Sequence, residues 1–208
     1  MVILACNTAS AKALRTIQQI NLPVIDATRR VLGVIRPTAE CIGEITRSRH
    51  VGILATAGTI KSESIFLEIH KLSPDIVVTG EACPMWVSLV ENNEYQSEGA
   101  DYFVKQHINR LLDKDPMIDT IILGCTHYPL LLDKIRQFTP GHIRIIAQGE
   151  YVARSLQDYL NRHPEMDARC EKGGKCRFLT TESENKFEES ASIFLGRQDI
   201  KVESIALE

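Results

Sequence analysis

Apolar positions along the chain follow two rhythms. Short uninterrupted apolar runs over 2–5, 51–55, 76–79, 120–123 and 143–147 predict strands buried on both faces. Between them the apolar residues recur every three or four positions. That spacing predicts helices over 9–20, 31–45, 59–72, 100–112, 128–138, 150–160 and 186–195, with Pro37 setting or kinking the start of the second. Residues 23–26 read as one more short strand, and 177–180 and 200–205 as the last two. The stretch 161–175 is polar, with Pro164 and Gly173-Gly174, and reads as the longest loop. Strands that alternate with helices in this way specify an α/β fold of mostly parallel sheets flanked by helices.

Two pieces of the chain match one another. Val2-Ile3-Leu4-Ala5 runs into Cys6-Asn7-Thr8-Ala9, and Ile121-Ile122-Leu123-Gly124 runs into Cys125-Thr126-His127-Tyr128-Pro129. Each is a buried strand that delivers a cysteine to the start of a helix, at the sheet edge where open α/β folds collect their active sites. Free N–H groups and the positive end of the helix dipole there favour thiolate over thiol and can hold a carboxylate. A single such cysteine reads most simply as a small buried hydrophobe. Two in equivalent settings, each followed by a capping residue, point to chemistry on two pseudo-symmetric lobes.

Composition narrows the class. The 208 residues are 44% hydrophobic and 25% charged with a formal net charge of −3, which is ordinary for a globular chain and offers no basic excess for nucleic acid. No apolar run reaches the ~18 residues of a membrane span, so no membrane partner is expected. The first residues form no signal peptide, since a basic leader is lacking and the apolar run is short. Six cysteines in a chain of this length are too sparse for a disulfide scaffold, which points to a reducing compartment and a cytoplasmic location.

The segments Ala5-Cys6-Asn7-Thr8-Ala9 and Gly124-Cys125-Thr126-His127-Tyr128-Pro129-Leu130 resemble the glutamate racemases of the cofactor-independent aspartate/glutamate racemase superfamily. Thr59-Ile60-Lys61-Ser62, Ala82-Cys83-Pro84 with Leu89-Val90-Glu91, and Phe178-Leu179-Thr180-Thr181 are similar to the same family. The resemblance covers essentially the whole chain. It implies two α/β lobes, the second inserted in the first, here 28–147 within 1–27 and 148–208. It also implies a two-base racemisation of glutamate that feeds peptidoglycan synthesis. Cys6 and Cys125 are the implied bases, His127 aids proton transfer, and Asn7, Thr8, Thr126, Thr59 and Glu91 contact substrate. No metal, nucleotide or pyridoxal cofactor is implied; glutamate is the small-molecule partner, and a homodimer is the expected assembly.

The family also carries an Asp-Ser pair in a strand–glycine-turn motif and a Pro-Tyr-Gly segment ahead of its first cysteine, whereas five residues precede Cys6 here. The expectation is therefore an incomplete first lobe in an N-terminally shortened chain, lacking on the order of 60 residues. Three other functions stay open at this point: another amino-acid racemase of the superfamily, an inactive or weakly active racemase fragment, and a Cys–His hydrolase using Cys125 and His127. The last is disfavoured, because residues so close in one turn seldom place an imidazole to activate the thiol.

The other candidates have plainer readings. Cys170 and Cys176 near His163 are spaced too loosely for a zinc knuckle and lack a second pair. Cys41, Cys83 and Trp86 read as packing, and Lys61 as a solvated charge. His50, His70, His107, His142 and His163 read as surface or capping residues.

Overall fold

Strand β1 (Val2–Leu4) of the computed structural model, which describes residues 1–206, leads directly into helix α1 (Asn7–Thr16). A π-helical turn (Ile17–Asn21) continues α1 into α2 (Leu22–Asp26), followed by β2 (Val31–Gly33) and α3 (Ile35–Ile45). Next come β3 (His50–Ala55), α4 (Ala57–Ser62), α5 (Ser64–Leu72), β4 (Val77–Ala82), α6 (Trp86–Glu91) and α7 (Glu98–Lys114). Strand β5 (Thr120–Gly124) passes through a 3-10 turn (Tyr128–Leu131) into α8 (Leu132–Phe138), then β6 (Arg144–Ala147), α9 (Gly149–Arg162) and α10 (Pro164–Asp167). Last come β7 (Phe178–Thr180), α11 (Glu184–Leu195) and β8 (Val202–Ser204).

The chain divides into two compact units, Met1–Asp167 and the part from Ala168 onward. In the first, β4-β3-β5-β6 form a four-stranded sheet and β1 pairs with β2. In the second, β7 pairs with β8. Every pairing is parallel. Ala55 stands opposite both Ala82 and Gly124, so β4, β3 and β5 end level with one another.

The four-stranded sheet is covered on both faces, and its strands alternate accordingly. Ile121 and Leu123 of β5 pack with Leu54, Val104, Ile108, Leu111, Tyr128 and Ile135 on one side. Ile122 packs with Val51, Ile53, Ile42, Ile65 and Ile69 on the other. Each fully buried Ile or Leu contributes roughly 1.5–3 kcal/mol, which makes this sheet the stable frame of the first unit.

Several elements depart from the periodicity. Residues 23–26 are helical: the π-helical turn carries α1 on into α2, with Pro23 at the first positions of α2. The expected helix over 31–45 contributes Val31–Gly33 to β2, with Val31, Leu32 and Gly33 opposite Val2, Ile3 and Leu4. A Cβ at Gly33 would lie 2.5 Å from Leu14 Cδ2, so α1 and β2 approach closely there and any larger residue would have to displace the Leu14 side chain. The helix over 59–72 is interrupted at Glu63, whose φ of 56° lies in the left-handed region. Trp86–Glu91 is a helix that the pattern misses. Within 161–175 the chain stays helical to Arg162 and again over Pro164–Asp167.

His107 is not a surface residue. It is buried, and its Nδ1 lies 3.0 Å from the buried Glu81 carboxylate, which also accepts from Lys114 Nζ at 2.6 Å. A buried carboxylate needs such partners to remain ionised, and they hold Glu81 below its ordinary range against the burial that pushes it up. Cys83 and Trp86 are core residues, whereas Cys41 is only half-buried, with its thiol on the Thr38 carbonyl.

Candidate active site

Cys6 is the N-cap of α1, held in extended backbone geometry at φ −88° and ψ 129°. Its carbonyl accepts from Ser10 N–H at 2.9 Å, while its side chain makes no capping bond and is exposed. The strand-to-helix corner is fixed from behind by Ser10, whose hydroxyl donates to the Leu4 carbonyl at 2.8 Å. Asn7 is buried, and its Oδ1 has no partner among the described residues. Such an atom costs about 1–3 kcal/mol, so the corner carries polar capacity that no neighbour uses.

The second corner also joins a strand to a helical turn but is buried where the first is exposed. Cys125 directly follows β5, the central and fully buried strand, and is itself buried. His127 Nδ1 stands 3.7 Å from Cys125 Sγ, and its Nε2 stands 3.2 Å from a Glu91 carboxylate oxygen. The three groups form a relay from a half-buried ring to an exposed carboxylate at the end of α6. Two residues in one turn thus do bring an imidazole to the thiol, in the link between β5 and the 3-10 turn. Thr126 is exposed beside Cys125.

Burial pushes the Cys125 thiol above its ordinary range. The backbone N–H groups of His127 and Tyr128 oppose that rise, and negative charge on Cys6 and on Glu91 adds to it. The two cysteines therefore lie within electrostatic reach of one another although 119 positions separate them.

A third corner meets the first. Thr56, which follows β3, caps α4 by accepting from Thr59 N–H at 3.3 Å. Its hydroxyl lies 2.9 Å from that of Thr8 and 3.0 Å from that of Thr59, and Thr8 and Thr59 are also 2.9 Å apart. This triangle of hydroxyls ties the start of α1 to the start of α4. Thr59 is fully buried within it.

Five of the eight sequence-predicted residues thus fall into two groups, to which Cys6, Asn7 and Thr126 do not belong. Cys125, His127 and Glu91 form one contact chain, and Thr8 and Thr59 form another around Thr56, which the sequence reading did not single out. Thr56 carried a local signal as a Thr three residues ahead of another Thr at a strand end, the spacing of an N-cap. A separate groove of about 780 Å³, lined by Ser10, Leu14, Arg15, Leu67, Leu156 and Tyr159 among others, contains none of the candidate residues. Among the described residues no group of three or more His, Cys, Asp or Glu side chains converges as a metal site would, and no helix is long and apolar enough to cross a membrane.

Residues 1–156 match the family model described as Asp/Glu/Hydantoin racemase. A glutamate racemase of Listeria monocytogenes is 38% identical over 208 residues, covering all of this chain and 74% of the relative. One from Enterococcus faecalis is 37% identical over 212 residues, with 73% of its length covered. Among solved structures, a glutamate racemase isoform from Bacillus anthracis superposes with a TM-score of 0.87 at 34% identity over 99% of this chain and 73% of that one. The Francisella tularensis glutamate racemase, solved in complex with D-glutamate, gives a TM-score of 0.83 at 28% identity, with 99% and 73% covered.

Proposed function

The chain belongs to the Asp/Glu/Hydantoin racemase family, and from that membership we propose that it interconverts L-glutamate and D-glutamate without a cofactor, using two cysteines as bases. Racemisation removes the α-proton from one face of the substrate and returns a proton to the other. Cys6 takes the proton from D-glutamate and Cys125 from L-glutamate, each acting as the acid in the opposite direction.

The observation that carries this reading is the contact chain at Cys125, with His127 Nδ1 at 3.7 Å from its Sγ and Glu91 behind the ring, together with Cys6 at the N-cap of α1. Negative charge on Cys6 disfavours ionisation of Cys125, so the pair favours one thiolate facing one thiol. That is the state a two-base racemase needs at the start of either direction. His127, steadied by Glu91, serves proton transfer at Cys125. Asn7, Thr8 and Thr126 bind the polar groups of the substrate, with the free N–H groups at the start of α1 available to a carboxylate. Thr59 supports Thr8 from within the core.

In this reading residues 28–147 form one lobe and residues 1–27 with 148–208 belong to the other. The D-glutamate produced serves peptidoglycan synthesis and hence cell shape, in the cytoplasm, and the working form is a homodimer. Incubation with L-glutamate in deuterated water tests the chemistry. The expected product is α-deuterated D-glutamate, and Cys6→Ala or Cys125→Ala should each abolish it. Racemisation that survives Cys125→Ala overturns the two-base assignment. Turnover of aspartate in place of glutamate would move the substrate within the family.

A further inference from the structure

We propose that Tyr128 is a positioning residue for the Cys125 half of the reaction, clamping the turn that carries Cys125 and His127 to the helix that carries Glu91. The inference rests on the two-base reading and adds a residue to it. Tyr128 is fully buried, and its hydroxyl donates to the Cys83 carbonyl at 3.2 Å. The same carbonyl accepts the first N–H of α6, that of Trp86, at 3.4 Å. One oxygen therefore joins the start of α6 to the 3-10 turn.

The rings repeat the connection. Trp86 and Tyr128 meet edge to face with centroids 4.8 Å apart, and Trp86 is backed in turn by His107 at 6.1 Å. The far end of α6 is held by the contact of Glu91 with His127. Helix and turn are thus tied at both ends, and Tyr128 supplies the end away from solvent. The Tyr128 N–H also donates to the Cys125 carbonyl at 3.3 Å, so the same residue sets the turn in which Cys125 Sγ meets His127.

Tyr128→Phe removes the hydroxyl and keeps the ring. Racemisation should fall about tenfold in kcat with KM little changed, as expected when a reacting group is displaced by a fraction of an ångström. The deciding readout is the primary isotope effect in each direction. Weakening Cys125 makes removal of its proton from L-glutamate limiting, so the effect with α-deuterated L-glutamate should rise while that with α-deuterated D-glutamate falls. Equal changes in both directions, or none, overturn the proposal. Emission from Trp86, the one tryptophan of the chain, reports whether the variant packs normally. If Tyr128→Phe does not fold, Trp86→Phe loosens the same clamp from the other side; diverging isotope effects support the proposal and symmetric ones overturn it.

A readout that needs no turnover separates this proposal from the function it rests on. Alkylation of Cys125 by iodoacetamide, followed by mass spectrometry, reports its titration in the presence of Cys6, Cys83, Glu91 and His127, the groups around it. Loss of the clamp should move the alkylation midpoint upward as the N–H groups of the turn lose their aim at Sγ. A midpoint that stays or falls overturns the proposal. An unsubstituted chain that exchanges no α-proton overturns the racemase reading alone.

Discussion

Nε2 of His127 lies 3.2 Å from Oε1 of Glu91, a residue 36 positions earlier at the end of another helix. The opposite nitrogen of the ring faces Cys125 at 3.7 Å. The carboxylate therefore sets which way the ring is turned, a service an imidazole needs to move a proton at a thiol.

Glu91→Gln keeps a polar group at that position but removes the charge. The expected result is a fall in kcat of about tenfold or more with KM close to unchanged, since Glu91 acts through the ring. Steady-state kinetics in both directions checks this; an unchanged kcat would remove Glu91 from the relay.

The coupled thiols predict a bell-shaped dependence of kcat/KM on pH. Activity should rise with pH as the first thiolate forms and fall again once the second thiol ionises. Burial and the charge of Cys6 hold Cys125 high, so the alkaline limb belongs above the ordinary cysteine value of about 8.5. A pH–rate profile with no alkaline decline would contradict the one-thiolate, one-thiol state.

Thr8→Val keeps the volume and deletes one hydroxyl of the threonine triangle. Two contacts of 2.9 Å disappear, which should cost on the order of 1 kcal/mol in chemical denaturation. The substrate-binding role proposed for Thr8 predicts an accompanying rise in KM. Stability loss with KM unmoved would reduce Thr8 to a brace.

Asp119 offers a test of stability against pH. Burial pushes its carboxyl up, but hydrogen bonds outweigh that and hold it far below the usual range. They come from Thr46 Oγ1, Arg47 N and Ser48 N at 2.6 Å and from Thr120 Oγ1 at 2.8 Å. A group whose folded pKa is depressed stabilises fully above its unfolded value, about 3.9, and progressively less as pH falls below it. Urea midpoints should therefore drop below pH 4, and Asp119→Asn should be destabilised at neutral pH with a flatter acid response.

The central strands were legible because burial on both faces leaves almost no polar residue in 51–55 or 120–123, a pattern that needs no knowledge of partners. Residues 23–26 and 31–33 were misread for the opposite reason. Each is short, and which structure it takes depends on Pro23 falling in a first helical turn and on β1 lying beside Val31. A run of three or four apolar residues satisfies strand and helix equally, so the neighbour decides. His107 was missed in the same way: its partner Glu81 is brought to it by β4, and that leaves no mark in the residues around it.

For the candidate site, the sequence by itself determined the local stage of the two proposed bases. Cys6 and Cys125 each follow a parallel strand and precede a helical turn, a placement set by a few consecutive residues, although only β5 is buried and Val2 and Ile3 of β1 are exposed. Only the tertiary structure decided what those residues work with. The pairing of Glu91 with His127, the meeting of Thr8 with Thr56 and Thr59, and the grip of Tyr128 on Cys83 join positions 36, 48, 51 and 45 residues apart. Local periodicity records which face of a segment is buried. It does not record what another segment brings to that face, which parallel strands ending level at one sheet edge settle.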